Sequence, residues 1–171
     1  MRGQSLSRRT FWWDRTRTGP VDAEAEPLRA VIFDLEALAE VDDDGQPMPK
    51  AGLIDLVMSL FVSGIWVGVV SSGRRAQVDQ LVRELIGDGL VETIVTSDDA
   101  DSTDSADLFA LALWEFGIEP KNALAVVGSE GLSVAAGAGL AAVSTDFDEL
   151  DSAPACERVH RRSRTMQKQA A

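Results

Sequence analysis

Ala30-Val31-Ile32-Phe33-Asp34-Leu35-Glu36-Ala37-Leu38 decides the fold. Four consecutive apolar residues ending in a carboxylate predict a strand buried on both faces, as in a parallel sheet. Such a strand puts its last side chain at the carboxyl edge of the sheet, where open α/β folds place their ligands. Asp34 is therefore a candidate nucleophile.

The pattern continues downstream. Leu53, Leu56, Val57, Leu60 and Phe61 recur at helical spacing, and Gly64 closes that helix. Ile65–Val70 is a second apolar run and ends at Ser71-Ser72-Gly73. Val78, Leu81, Val82 and Leu85 mark another helix, followed by a strand over Val91–Val95. Leu108, Leu111, Ala112 and Phe116 mark a third helix, stopped at Gly117. Ala123–Val127 is a fourth strand, Leu132–Ala138 a small-residue helix and Leu140–Val143 a fifth strand. Strand and helix alternate throughout, which predicts a Rossmann-like three-layer α/β/α sandwich around a five-stranded parallel sheet.

Charge divides the chain into three parts. Residues 1–21 carry five Arg against Asp14, and residues 156–171 carry four Arg and Lys168 against Glu157, yet the net charge is −12. The body between them is strongly acidic and should repel nucleic acid and anionic membranes. The expected organisation is a polar arm over 1–27, disordered or docking, an α/β domain over 28–151, and a basic tail over 152–171. Phe11-Trp12-Trp13 is the adhesive part of the arm and the expected contact for a protein partner. Trp66 and Trp114 fall in a strand and a helix, where packing is the default.

Export and membrane insertion are not indicated. No stretch reaches the roughly 18 apolar residues of a membrane span. Ser7-Arg8-Arg9-Thr10-Phe11 resembles the start of a twin-arginine signal, but Trp12-Trp13-Asp14-Arg15-Thr16-Arg17 follows instead of an apolar segment. The single cysteine, Cys156, lies near the single histidine, His160, and one such pair makes no zinc site. A cytoplasmic setting is expected. Asp42-Asp43-Asp44-Gly45 lacks the alternating ligands of a calcium loop and reads as a solvated turn. Asp98, Asp99, Asp101, Asp104 and Asp107 read as a solvated loop leading into a helix start.

The order of these pieces resembles the haloacid dehalogenase-like hydrolases over about residues 28–147, a superfamily composed mostly of phosphatases and phosphotransferases. Four places carry the resemblance. In the first, Asp34 matches the nucleophile, Glu36 stands where the family has its second aspartate, the general acid/base, and Ala37 replaces a glycine. In the second, Ser71 matches the residue that hydrogen-bonds the phosphoryl group, with Ser72, Gly73 and Arg74 (and Arg75 beside them) as further phosphate-binding candidates. In the third, Phe109 matches a helical phenylalanine, but the family's lysine falls near Thr103, and no Lys or Arg occurs between Arg83 and Lys121. In the fourth, Gly128 and Ser129 stand where two acids belong, and Glu130 takes one of those places only with the register moved by one.

These departures bear directly on the chemistry that the resemblance implies. There an aspartate attacks phosphorus, and Mg²⁺ bridges nucleophile and phosphoryl oxygen. Mg²⁺ needs an octahedral shell of hard oxygens. Asp34, the Glu36 carbonyl and Glu130 are the metal candidates, so Mg²⁺ binding is expected to be weak or absent. Loss of one preorganised charge-stabilising donor such as the lysine costs roughly 10²–10³ in rate. Glu36 can carry a proton, but its extra methylene displaces the carboxyl by more than roughly 1 Å, a costly misplacement in catalysis. Only 37 positions separate Asp34 from Ser71, so no cap domain is expected between them. Three readings stay open: a degenerate or weak phosphatase (a pseudoenzyme) that binds a phosphorylated ligand or a protein, an active Mg²⁺-dependent phosphatase, and a non-catalytic regulatory subunit.

Overall fold

A computed structural model of the chain describes residues 27–100, 105–144 and 150–170. Five parallel strands form its sheet: β1 (Ala30–Asp34), β4 (Trp66–Ser71), β5 (Thr93–Thr96), β6 (Ala123–Val127) and β7 (Ala141–Ser144). Their order is β5-β4-β1-β6-β7. The chain builds outward from β1 to one side, then returns across it to build β6 and β7 on the other. The strand order thus reverses beside β1, and the crevice outside its carboxyl end is the natural ligand site of such a sheet. Central position explains composition: all of β6, and all of β1 but Asp34, is buried.

Side-chain alternation sorts the core into two layers. Val31, Phe33, Val67, Val69, Leu124 and Val126 point to one face. There they meet α1 (Leu53–Val62), α2 (Arg75–Leu85) and α5 (Ala153–Ala170). Ile32, Val70, Val95, Ala125 and Val127 point to the other face, against α3 (Ser105–Phe116) and α4 (Leu132–Gly137). Gly68 falls on this second face because an added Cβ would come within 2.9 Å of the Phe116 ring. That ring stacks on Trp66 with centroids 5.5 Å apart. The predicted three-layer sandwich and its five strands are therefore present.

Three expectations need correction. Residues 153–170 are not a tail but the helix α5. Its overall polarity conceals one apolar stripe: Ala153, Cys156 and His160 are buried. The Ala153 N–H donates to Ser59 Oγ (2.9 Å), and His160 Nε2 pairs with the Lys121 carbonyl at 2.9 Å. Pro154 is tolerated because it stands in the first turn, where its missing N–H has no helical partner. Next, the polar stretch 40–49 contains a hairpin, β2 (Ala39–Val41) paired with β3 (Pro47–Pro49). Asp42 Oδ1 accepts the N–H groups of Asp44 and Gln46, and Gly45 takes φ 78°, so the acidic tip is a side-chain-tied turn. Finally, Trp114 is not packed; it is 77% exposed on α3.

Between β1 and β4 the chain holds a single 3₁₀ turn, this hairpin and α1. Among the described residues no helix is long and apolar enough to cross a membrane. The Phe11-Trp12-Trp13 arm lies outside the described residues.

Candidate functional site

Asp34 closes β1 in extended backbone and caps the 3₁₀ turn Leu35–Ala37, accepting the Glu36 N–H over a long 3.4 Å. Ala37 and Leu38 return to the core, which leaves Glu36 exposed at the turn's apex. Asp34 is half-buried. Burial pushes its carboxyl above the ordinary 3.8, the Glu36 N–H draws it back, and the Glu36 charge pushes it up again.

Ser71 stands beside it. In the parallel ladder Asp34 pairs with Val70, so Ser71 is the next residue along the neighbouring strand. Its Oγ accepts the Gly73 N–H at 3.0 Å, a local turn that serine favours. Glycine suits position 73 because an added Cβ would crowd Val78 Cγ2 (3.2 Å) and Ser71 Oγ (3.3 Å). Ser72 and Arg74 are exposed, and Arg74 caps α2 through extended backbone. Asp34 and the 71–74 turn thus share the carboxyl edge of two adjacent strands.

The loop after β5 holds this turn from the other side. Ser97 Oγ donates to the Gly73 carbonyl at 2.9 Å, and Asp98 Oδ2 accepts the Arg75 N–H at 2.9 Å. Asp98 is therefore a cap on α2 supplied from elsewhere in the chain. A helix N-terminus attracts anions, and here part of that capacity is met by the protein's own carboxylate. Asp99 accepts from the N–H and Oγ1 of buried Thr96, at 2.9 and 3.0 Å, and pairs with Arg75 Nη2. Burial pushes Asp99 up, but the bonds from Arg75 and Thr96 outweigh it and hold the carboxyl below its ordinary value. Arg75 also donates to the Ile94 carbonyl (2.6 Å) and to Asp79 (3.3 Å).

Two sequence expectations change here. Asp98 and Asp99 are not simply solvated loop, and Arg75 is committed to Asp79, Asp99 and the Ile94 carbonyl. No signal in the acidic run 98–107 separates these two aspartates from their neighbours. Asp107 does sit in the first turn of α3, as expected. Phe109 is a buried core residue of α3, and Thr103 lies outside the described residues.

The fourth place follows β6. Gly128 leads into a 3₁₀ turn over Ser129–Gly131 in which Glu130 is exposed. Gly131 packs so closely that an added Cβ would lie 2.9 Å from Val127 Cβ. Among the described residues no three His, Cys, Asp or Glu side chains cluster so as to hold a metal ion. Of the three metal candidates, Asp34 is half-buried and Glu36 and Glu130 are exposed.

No protein-family model and no curated protein sequence matches the chain. Solved structures do. A putative haloacid dehalogenase-like hydrolase from Bacteroides fragilis superposes with a TM-score of 0.60 at 13% identity, covering 72% of this chain and 92% of that one. CbbY from Rhodobacter sphaeroides, solved as a variant with xylulose-1,5-bisphosphate, gives 0.58 at 18% identity, covering 69% and 86%. A putative β-phosphoglucomutase from Bacteroides vulgatus gives 0.57 at 13% identity, covering 82% and 91%. The fold is that of the haloacid dehalogenase-like hydrolases.

Proposed function

We propose that this chain, built on the haloacid dehalogenase-like fold, is a catalytically impaired phosphatase relative that binds a phosphorylated ligand at Asp34 and the 71–74 turn. The observation that supports this most is the ladder register. Asp34 opposite Val70 sets the candidate nucleophile beside Ser71, the candidate phosphoryl donor. Ser71 Oγ accepts from Gly73, which leaves its own proton to donate to an anion. Arg74 is exposed on the same turn and adds positive charge.

What the site lacks argues against efficient turnover. The sequence has no cation between Arg83 and Lys121 to offset developing phosphoryl charge. Asp98 and Asp99 add negative charge on the adjoining loop. Binding survives such losses better than chemistry does, because chemistry depends on groups placed for the transition state.

Titration calorimetry with inorganic phosphate tests the reading. Binding to the full chain should weaken by about 10–100-fold in Ser71→Ala, the range for losing one hydrogen bond to a charged group. Equal binding in both proteins, or none in either, would remove the proposal.

A further inference from the structure

A second concave surface lies at the opposite end of the sheet. Pro27 and Arg29 precede β1, Trp66 opens β4, Phe116 to Ile118 end α3, and Glu119 to Asn122 lead into β6. Together they line an open cleft of about 420 Å³ at the amino-terminal edge of the strands. That size lies within the ~300–1,000 Å³ of ordinary binding pockets. Its aromatic wall is the stacked pair Trp66–Phe116.

The chain enters the domain at this cleft. The Pro27 carbonyl accepts from Asn122 Nδ2 at 3.1 Å, and the Arg29 N–H donates to the Asn122 carbonyl at 2.7 Å. Pro27 is thus both anchored at the rim and part of the lining. Upstream stand Phe11-Trp12-Trp13, three adjacent aromatics whose burial would remove a large apolar area from water. Pro27 lies fourteen positions after Trp13, a span of at most about 50 Å when fully extended. That is ample to fold back on the rim.

We infer that Phe11-Trp12-Trp13 of this chain seats in the cleft walled by Trp66 and Phe116. Charge runs the same way. Asp22, Glu24 and Glu26 lead into a wall that carries Arg29, beside the ion pair of Lys121 with Glu119 (3.1 Å). A tether this short gives an effective concentration in the millimolar range, which favours the chain's own cleft over that of a second copy. The seat lies at the far end of the strands from Asp34, so it stands or falls independently of the phosphate site.

Disulfide trapping in the full chain tests it, because the native Cys156 is buried. Asp14→Cys with Glu119→Cys places a thiol beside the aromatics and another on the rim. Asp14→Cys with Asp43→Cys, on the hairpin tip, is the control. The first pair should close an intrachain disulfide at least ~10-fold faster than the control, independent of protein concentration, since a bridge needs Cα atoms within about 7 Å. Adding Trp12→Ala and Trp13→Ala should abolish that preference. Equal rates for the two pairs would overturn the inference. So would an interchain product whose yield rises with concentration, or a preference that survives loss of both tryptophans.

Discussion

Asp98 caps helix α2 from a distance of 23 residues: its Oδ2 accepts the Arg75 N–H at 2.9 Å. The helix start next to Ser71 is therefore tied down by an anion that belongs to the protein. Any phosphate arriving at the 71–74 turn meets that charge. Replacing Asp98 separates the two roles. Asp98→Ala should lower stability by about 0.5–2 kcal/mol, the usual worth of a helix cap. Asp98→Asn keeps a capping oxygen and should cost less, while both variants bind inorganic phosphate more tightly than the parent. Urea unfolding and calorimetry measure the two effects. Weaker phosphate binding in Asp98→Asn would show that the carboxylate does not oppose the ligand.

Asp34 and Asp99 should give stability opposite dependences on pH. The folded state raises Asp34 above 3.8, chiefly through burial, so it holds a proton more readily than the unfolded chain does. Stability is then lost as pH rises through that window. Asp34→Asn should accordingly be more stable than the parent at pH 7 and no more stable near pH 3. Asp99 is lowered by its bonds from Arg75 and Thr96. Its contribution is present above the unfolded value and is lost as pH falls through the folded one. Asp99→Asn should therefore be less stable than the parent at pH 7, with the difference closing in acid. Unfolding midpoints at several pH values check both signs.

Cys156 should be chemically silent while the protein is folded. It is fully buried, and burial, with Glu157 and Asp151, pushes its thiol up to about 12 from 9.0. The thiolate is the reactive form, so a thiol reagent at pH 8 should label the folded chain only through opening and the urea-unfolded chain at once. Because the unfolded thiol ionises first, stability should also fall as pH climbs above 9, by at most ~1.4 kcal/mol per pH unit. Rapid stoichiometric labelling under native conditions would contradict the packing of α5.

The strands were legible because their signal is strong. Ala30–Asp34 and Ala123–Val127 are continuous apolar runs that only a doubly covered strand needs, and both appear with those bounds. The helix α5 was not legible because its polar and basic residues mask the spacing of Ala153, Cys156 and His160. The hairpin was hidden by brevity, three residues to each strand, and by Pro47 and Pro49, which suit an edge strand but read as loop. At the site, the chain positions of Asp34 and Ser71 pointed to the same sheet edge. The bonds of Asp98 and Asp99 were beyond reach, since a pairing between residues 23 or 24 apart leaves no local pattern.

The central claim is that the Asp34–Ser71 site binds a phosphorylated ligand without efficient hydrolysis. Its most direct test is turnover of a generic phosphomonoester with added Mg²⁺ by the full chain and by Asp34→Asn. Turnover should be negligible, or weak and equal in both, while inorganic phosphate still binds. Substantial turnover in the parent that Asp34→Asn abolishes would contradict it and make the chain a working phosphatase.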